Sequence, residues 1–319
     1  MVDLLTDVLQ SVRVDAARCG FVDGAECWAA DDAGCECAVV YAVLAGACSL
    51  QVGPGRATTL VTGDIALLVH GDAHRLSCGA SATAVPIHLV WSPASASART
   101  AVVPPAPLRL ARIELSFEDK KQNPVVSALP TMVRLTNESG QTPRWFEPVL
   151  QLMICEAASD LPGSESILCR LGDVLMIQLV RGHLQRVESH PPSSAACPGW
   201  LAAISEPQIG SALGLIHESP AEPWTVAGLA ARVGMSRSAF AARFAQLVGE
   251  PPLHYVTRWR MQKAATMLRA STSTLADIAA RVGYESEAAF SKAFKRWAGV
   301  APGAFRRASR HHSIASAAA

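Results

Sequence analysis

Between Cys37 and about Pro86 the apolar residues come in runs of five to eight, each closed by a turn signal. Runs of that length read as strands rather than helices. Cys37–Leu44 is apolar and β-branched, Gly46 marks a turn, and Ala47–Val52 alternates up to the turn at Gly53-Pro54-Gly55. Thr58–Thr62, Asp64–Val69 and Ala84–Trp91 extend the series, separated by Gly63 and by the Gly71-Asp72 turn. Short strands at this spacing predict a small antiparallel sandwich or barrel. Ser92–Pro107, rich in Ala, Ser and Pro, reads as a loop or strap.

Beyond that strap the period changes to 3.6. Ser127–Leu135 is a short helix candidate, Pro148–Ala158 a clearer one, and Glu165–Val187 the clearest, with Leu168, Leu171, Val174, Leu175 and Leu179 on its apolar face. Such a helix packs on its own barrel or also pairs with a second subunit, and the pattern alone leaves both open. His190–Pro198 cannot continue a helix and forms the natural linker.

The last third contains an internal repeat. Thr225-Val-Ala-Gly-Leu-Ala-Ala-Arg-Val-Gly234 recurs 49 residues later as Thr274-Leu-Ala-Asp-Ile-Ala-Ala-Arg-Val-Gly283. Each copy has a capping Thr, a short amphipathic helix and a Gly suited to a left-handed stop. A second helix follows each Gly: Ser236–Leu247, buried through Ala239, Phe240 and Phe244, and Ser286–Trp297, buried through Ala289, Phe290 and Phe294. Helix, tight turn and helix make the helix-turn-helix arrangement, whose second member enters the major groove of DNA. Between the copies Pro251 and Pro252 open a helix to about Ala270. Its nineteen residues span roughly 28 Å at ~1.5 Å per residue, close to the ~34 Å between successive major-groove faces.

Composition sharpens this picture. With 319 residues, 50% hydrophobic and 17% charged, the chain can bury the cores of two domains, and disorder is excluded as its main state. The whole-chain charge of +1 hides an asymmetry: residues 1–206 carry 14 basic and 21 acidic groups, net −7, and residues 207–319 carry 14 and 6, net +8. A basic half points to nucleic acid. Met1–Asp15 carries acids where a signal peptide needs Lys or Arg, and the longest uncharged apolar run, Cys37–Leu50, has 14 residues, too few for a membrane span. A soluble, cytoplasmic protein with no membrane partner is expected. In that reducing compartment the nine cysteines, all before Trp200, read as thiols, metal ligands or redox sensors rather than a disulfide framework.

Residues 209–307 resemble the C-terminal DNA-binding domain of AraC/XylS-type transcription regulators. The segments that carry the resemblance are Trp224-Thr-Val-Ala-Gly-Leu-Ala, Gly234-Met-Ser-Arg-Ser-Ala-Phe, Val248-Gly-Glu-Pro-Pro, Gly283-Tyr-Glu-Ser-Glu-Ala-Ala-Phe-Ser-Lys-Ala-Phe-Lys-Arg and Gly299-Val-Ala-Pro-Gly. The front part is similar to the cupin-type sensor domain of a subset of that family. Gly63-Asp-Ile-Ala-Leu-Leu-Val-His-Gly-Asp-Ala-His74 matches the second cupin motif, with Val69 where Pro is usual. The first cupin motif, where metal-binding members place His-X-His and a Glu, would fall near Val39–Tyr41 and is absent, so no cofactor is expected.

The expected fold is α+β: a small cupin-like β-barrel followed by helices, then an all-α domain with two helix-turn-helix motifs. Residues 1–188 form the sensor and dimerisation domain and 189–206 the linker. Residues 207–308 form the DNA-binding domain, with motifs at about 225–247 and 274–297, and 309–319 a disordered tail. The resemblance implies a sequence-specific regulator, by family habit an activator, acting as a homodimer through Glu165–Val187 and addressing double-stranded DNA and RNA polymerase. It implies no enzymatic activity.

Base discrimination needs side chains on the exposed face of a recognition helix, and phosphate contact needs cations beside it. On the first helix these are Ser236, Arg237, Ser238, Ala241, Ala242 and Arg243; on the second Ser286, Glu287, Ala288, Ala289 and Lys292, with Lys295 and Arg296 placed for phosphates. By family alignment Ser238, Ala241 and Ala242 face bases, and the two alanines would read thymine methyls or shape. Arg232 and Arg281 read as solvated or salt-bridged, and Arg258, Arg260 and Lys263 stay open between phosphate and solvent.

The resemblance implies that the front part receives a signal, expected to be a small molecule or an oxidant. Cys19, Cys27, Cys35, Cys37, Cys48 and Cys78 all precede residue 80, and oxidation at Cys35, Cys37, Cys48 or Cys78 could shift the barrel between two states. A metal version would use Cys35 and Cys37 with His70 and His74. Against both stands the reading of these cysteines as small buried hydrophobes. Two other classes compete with the regulator: a cupin metalloenzyme fused to a DNA-binding domain, and a DNA-repair methyltransferase, which would need four close zinc cysteines where Cys27, Cys35, Cys37 and Cys48 are spread through strands.

Overall fold

The computed structural model describes residues 13–24, 27–79, 83–94, 107–117, 126, 129–136, 143–159, 161–189, 203–204 and 206–308. They form two compact units, one within residues 12–191 and one within 192–319. The expected tail and His190–Pro198 lie outside the described residues.

The first unit is built on two sheets. Its strands are β1 (Val14–Gly24), β2 (Trp28–Asp32), β3 (Ala38–Ala45), β4 (Ala47–Val52), β5 (Thr58–Val61), β6 (Ile65–Leu68), β7 (His74–Cys78), β8 (Ala84–Pro86), β9 (Trp91–Pro93), β10 (Leu108–Phe117) and β11 (Met132–Leu135). One sheet has the order β11-β6-β3-β10-β1-β9, the other β5-β4-β7-β2-β8. The core lies between them, where Val39, Tyr41, Leu68 and Leu110 of the first meet Ala30, Cys48, Leu50, Leu60 and Leu76 of the second. Along β10 the side chains alternate: Leu108 and Leu110 enter this core, with Arg112 on the same face.

Two expectations change here. Ser127–Leu135 is not helical where described: Met132–Leu135 pairs antiparallel with β6, because Pro130 blocks a helix and Val133 and Leu135 alternate into the core. The run Ala84–Trp91 is broken after Pro86 by a 3₁₀ turn over Ile87–Leu89, so β9 is a separate strand that pairs with β1. Within the strap Ser92–Pro107, residues 95–106 lie outside the described residues.

Helices α1 (Phe146–Ala157) and α2 (Ser164–Ser189) close the unit. Phe146, Leu150, Met153 and Ile154 of α1 are buried, as are Leu168, Leu175, Met176, Leu179 and Val180 of α2. The Asp173 carboxylate accepts the Val14 amide at 2.8 Å, tying α2 to the first strand. Val174, expected on the apolar face, is instead exposed beside Ile167 on another face of α2, one helical step of ~100° from buried Leu175.

The second unit contains α3 (Pro207–Glu218), α4 (Val226–Arg232), α5 (Arg237–Val248), α6 (Pro252–Ala270), α7 (Leu275–Arg281) and α8 (Glu287–Ala298). The repeat is built from local signals. Thr225 and Thr274 cap α4 and α7 by accepting the amides of Gly228 and Asp277, and Asp277 completes a capping box. Ser236 and Ser286 cap α5 and α8, and both helices end at left-handed glycines, Gly249 and Gly299. Phe240 with Phe244, and Phe290 with Phe294, are fully buried. Ala239 and Ala289, expected inside, are exposed, because each precedes a buried Phe by ~100° of helical turn. Among the described residues no helix is long and apolar enough to cross a membrane.

Between α3 and α6, His217 stacks on Trp259 with ring centroids 3.7 Å apart and shares a 2.7 Å hydrogen bond with the Tyr255 hydroxyl. Burial first, and the nearby Lys263 and Arg258 cations second, hold its imidazole down at about 3. An unfolded His titrates near 6.5. Below that pH the unfolded chain binds a proton that the folded one refuses, so stability is complete above it and falls as pH drops towards 3. Urea unfolding should show this term as a loss of about 1.4 kcal/mol per pH unit in the wild type relative to His217→Gln. Parallel pH profiles for the two proteins would contradict it.

Candidate nucleic-acid interface and sensor core

The recognition face follows from the caps. With Phe240 and Phe244 buried, α5 turns Arg237, Ser238, Ala239, Ala242 and Gln246 to solvent, while Ala241 and Arg243 are half-buried. Arg243 is held from two sides, by Glu206 at 3.7 Å and Gln246 Oε1 at 3.1 Å. The Ser236 hydroxyl is spent on the cap, accepting the Ala239 amide at 3.3 Å, as Ser286 accepts Ala289 N at 3.2 Å. Helix α8 exposes Glu287, Ala288, Ala289, Lys292, Lys295 and Arg296, with Ser291 half-buried.

Arg258, Arg260 and Lys263 of α6 are engaged within the protein, which is neither the phosphate contact nor the solvent exposure that the sequence leaves open. Arg258 donates from Nε to Glu250 at 2.8 Å and lies 4.9 Å from the Tyr255 ring centre. Lys263 sits 4.9 Å from the Trp259 ring centre, and Arg260 donates to backbone carbonyls. Arg232 of α4 lies 5.8 Å from the Trp224 ring centre.

In the first unit the sensor residues divide. His74 is buried and His70 exposed, so they do not converge. The His74 Nδ1–H donates to the Asp72 carbonyl at 2.8 Å, which leaves Nε2 to accept the Tyr41 hydroxyl proton, also at 2.8 Å. Tyr41 Oη in turn accepts Arg112 Nε–H at 3.1 Å. Arg112, 4% exposed, also donates to Asp32 at 2.6 Å and pairs with Glu114. Burial lowers the His74 pKa, consistent with this neutral tautomer, and pushes the Tyr41 phenol well up. Trp91 adds its ring 5.1 Å from the guanidinium. Asp32, Tyr41, Arg112 and Glu114 form a buried network that motif reading missed, apart from the Tyr41 position. The one usable signal was Arg112 and Glu114 standing two residues apart on the same parity as Leu108 and Leu110.

This chemistry does not fit a cupin metal. Val39, Val40 and Tyr41 stand where the first motif would supply imidazoles, and both His74 nitrogens are engaged. Cys35 and Cys37, expected as thiols, are joined as a disulfide, which removes both from the set with His70 and His74. Among the described residues no group of three or more His, Cys, Asp or Glu is placed to hold a metal ion. Cys48 is buried, and its thiol is pushed up to about 12 by burial, then by Cys78 and Asp64, so it stays protonated and poorly nucleophilic. Cys78 is half-exposed and free. The Cys35–Cys37 loop rests on the turn before His74: Cys35 N donates to Gly71 O at 2.8 Å. Gly71 has φ of +67°, and a Cβ there would lie 2.3 Å from the carbonyls of both Cys35 and Cys37. Asp32 is tied to the same loop, accepting Gly34 N at 2.8 Å.

Comparison with known proteins agrees with both halves. A family model described as "Cupin" matches residues 3–185, and one described as "Helix-turn-helix domain" matches 229–308. The HTH-type transcriptional regulator AlkR of Acinetobacter baylyi is 30% identical over 276 residues, 85% of this chain and 88% of that protein. The RCS-specific HTH-type transcriptional activator RclR of Escherichia coli is 28% identical over 268 residues, 83% of each chain. An AraC-like regulator of Streptomyces lividans is 38% identical over 194 residues, 60% of this chain and 61% of that one. The solved DNA-binding domain of AdpA, in complex with a target DNA, is 32% identical with a TM-score of 0.32, covering 33% of this chain and 95% of that one. The chain belongs to the AraC-like family of helix-turn-helix transcription regulators, with a cupin domain ahead of the DNA-binding motifs.

The buried network gives a stability prediction. Arg112→Ala leaves Asp32 and Glu114 without their shared cation and should cost about 3–5 kcal/mol. Chemical denaturation checks it, and a loss below about 1 kcal/mol, the range of an exposed pair, would contradict the assignment.

Proposed function

We propose that this chain is a sequence-specific DNA-binding transcription regulator in which α5 and α8 read the major groove and the cupin unit receives the signal. The observation that carries the reading is the pairing of buried Phe240/Phe244 and Phe290/Phe294 with exposed faces that bear Arg237 on α5 and Lys292, Lys295 and Arg296 on α8. Ser238, Ala241 and Ala242 of α5 and Glu287, Ala288, Ala289 and Lys292 of α8 face bases. The alanines present methyl groups suited to thymine, and Glu287 can accept from a cytosine amino group. Arg237, Lys295 and Arg296 meet phosphates, while Arg243 does so only by leaving Glu206.

The upstream residues, 1–188, act as sensor and dimerisation domain, joined by a linker over 189–206 to the DNA-binding domain at 207–308. Exposed Ile167 and Val174 on α2 support a homodimer through that helix. The protein works in the cytoplasm as an activator that contacts RNA polymerase, and its cupin unit binds or reacts with a signal without catalysing turnover. Between a small molecule and an oxidant, the Cys35–Cys37 bridge favours the oxidant, since its loop is bonded to Gly71 and Asp32 on either side of the buried network.

Binding of the full chain to its own upstream duplex, followed by fluorescence anisotropy across a salt series, tests this. Neutralising about three phosphates predicts a slope of log K on log salt of about −3, made shallower by about 1 in Lys295→Gln. Affinity should differ between reduced and oxidised protein, and the difference should vanish in a Cys35→Ser, Cys37→Ser variant. Equal affinity in both states sends the signal to small molecules, and the absence of specific binding overturns the regulator reading.

A further inference from the structure

Helix α6 is one continuous helix that serves two cores. Towards its start, Tyr255 and Trp259 pack with His217 of α3 and Phe244 of α5. Towards its end, Met261, Ala264, Ala265 and Leu268 belong to the cluster built with Ile278, Ala279, Val282, Phe290 and Phe294. Arg260 sits where one core gives way to the other. Its Nε donates to Pro220 O at 2.7 Å, Nη2 to Glu222 O at 2.8 Å and Nη1 to Gly283 O at 3.4 Å. The first two acceptors lie in the loop between α3 and α4, which leads into the first motif. The third is the turn glycine of the second motif.

At the same place the turn of the second motif touches the loop that leads into the first. A Cβ on Gly283, at φ of +79°, would lie 2.7 Å from Ala221 O and 2.9 Å from Arg260 Nη2. Gly234, its counterpart in the first copy, has φ of +68° and open space around its Cα. The repeat makes these glycines equivalent in sequence, yet of the two only Gly283 is pressed against the loop between α3 and α4 and against Arg260. Arginine suits the junction because its planar fork carries several fixed donors, which the single ammonium of lysine cannot reproduce.

We propose that Arg260 is a positioning residue that fixes the spacing and phase of α5 and α8, and so sets which separation of two half-sites on one duplex the protein accepts. The proposal rests on the DNA-binding reading above. Without the clamp the second motif is steered by the continuity of α6 alone, and a helix of this length bends. Half-site affinity is then retained while discrimination by spacing is lost.

The test uses the full chain and a duplex enriched by the wild-type protein from a random library, with derivatives carrying one base pair more or less between the two half-sites. One base pair rotates a half-site by about 34°. The wild type should prefer its native spacing by about 20-fold, a loss of the size that a mismatched position causes. Arg260→Gln and Arg260→Lys should reduce that preference to about 3-fold while binding a single half-site duplex within about twofold of wild type. Gly283→Ala, which forces the turn away from Ala221, should act in the same direction and carries the test should Arg260→Gln fail to fold. Variants that keep the wild-type spacing preference, or that lose half-site affinity in proportion, overturn the proposal. A wild-type protein that enriches no duplex overturns the DNA-binding reading itself.

Discussion

The DNA-binding half depends on α6 belonging to two hydrophobic cores at once. A helix-turn-helix motif is too small to bury its apolar side chains alone, and each motif here completes its core with a different stretch of the same helix: Tyr255 and Trp259 for the first, Met261 to Leu268 for the second. Hydrophobic burial fixes each motif to α6 but is non-directional. The angular relation of the motifs then falls to directional contacts, and these gather at Arg260 and Gly283. With both buried phenylalanine pairs committed inward, the exposed faces of α5 and α8 carry small residues and cations at fixed positions.

The cupin unit solves a different problem. Arg112 is a cation inside a barrel, a position that costs several kcal/mol unless the charge is paired and its donors satisfied. Asp32, Glu114 and Tyr41 do both, and the chain of donors runs on through His74 to the Asp72 carbonyl. Where a metal-binding cupin gathers imidazoles around an ion, this barrel holds a guanidinium with carboxylates, a phenol and one neutral imidazole. Both anchors of the Cys35–Cys37 loop touch that network, Asp32 directly and Gly71 through the turn to His74. Hydrogen bonds thus join the disulfide loop to residues on both sides of that network.

The helical half was legible because its signals are local. Thr225, Thr274, Ser236 and Ser286 cap within three residues, the glycines stop the helices, and α6 was expected from Pro251 or Pro252 to Ala270 and runs from Pro252 to Ala270. The first unit was legible only in part. Ala47–Val52 was placed as a strand with its observed bounds, yet β1, β2, β7 and β10 were missed. In β10 both faces are largely buried, which blurs the period of two, and Arg109, Arg112 and Glu114 read as surface. Two partners of Arg112, Tyr41 and Asp32, lie 71 and 80 positions away, and no spacing rule links them to it. Arg260 was undetermined for the same reason, its acceptors being Pro220, Glu222 and Gly283, whereas the partners of Arg258 and Lys263, Glu250, Tyr255 and Trp259, lie within eight residues of them.

In the proposed mode of binding, the two recognition helices held by one α6 read a single face of the duplex. Hydroxyl-radical footprinting of the full chain on its enriched duplex tests it most directly. Two protected stretches on the same face, centred about 10 base pairs apart, are predicted. One protected stretch, or two on opposite faces, would exclude this arrangement.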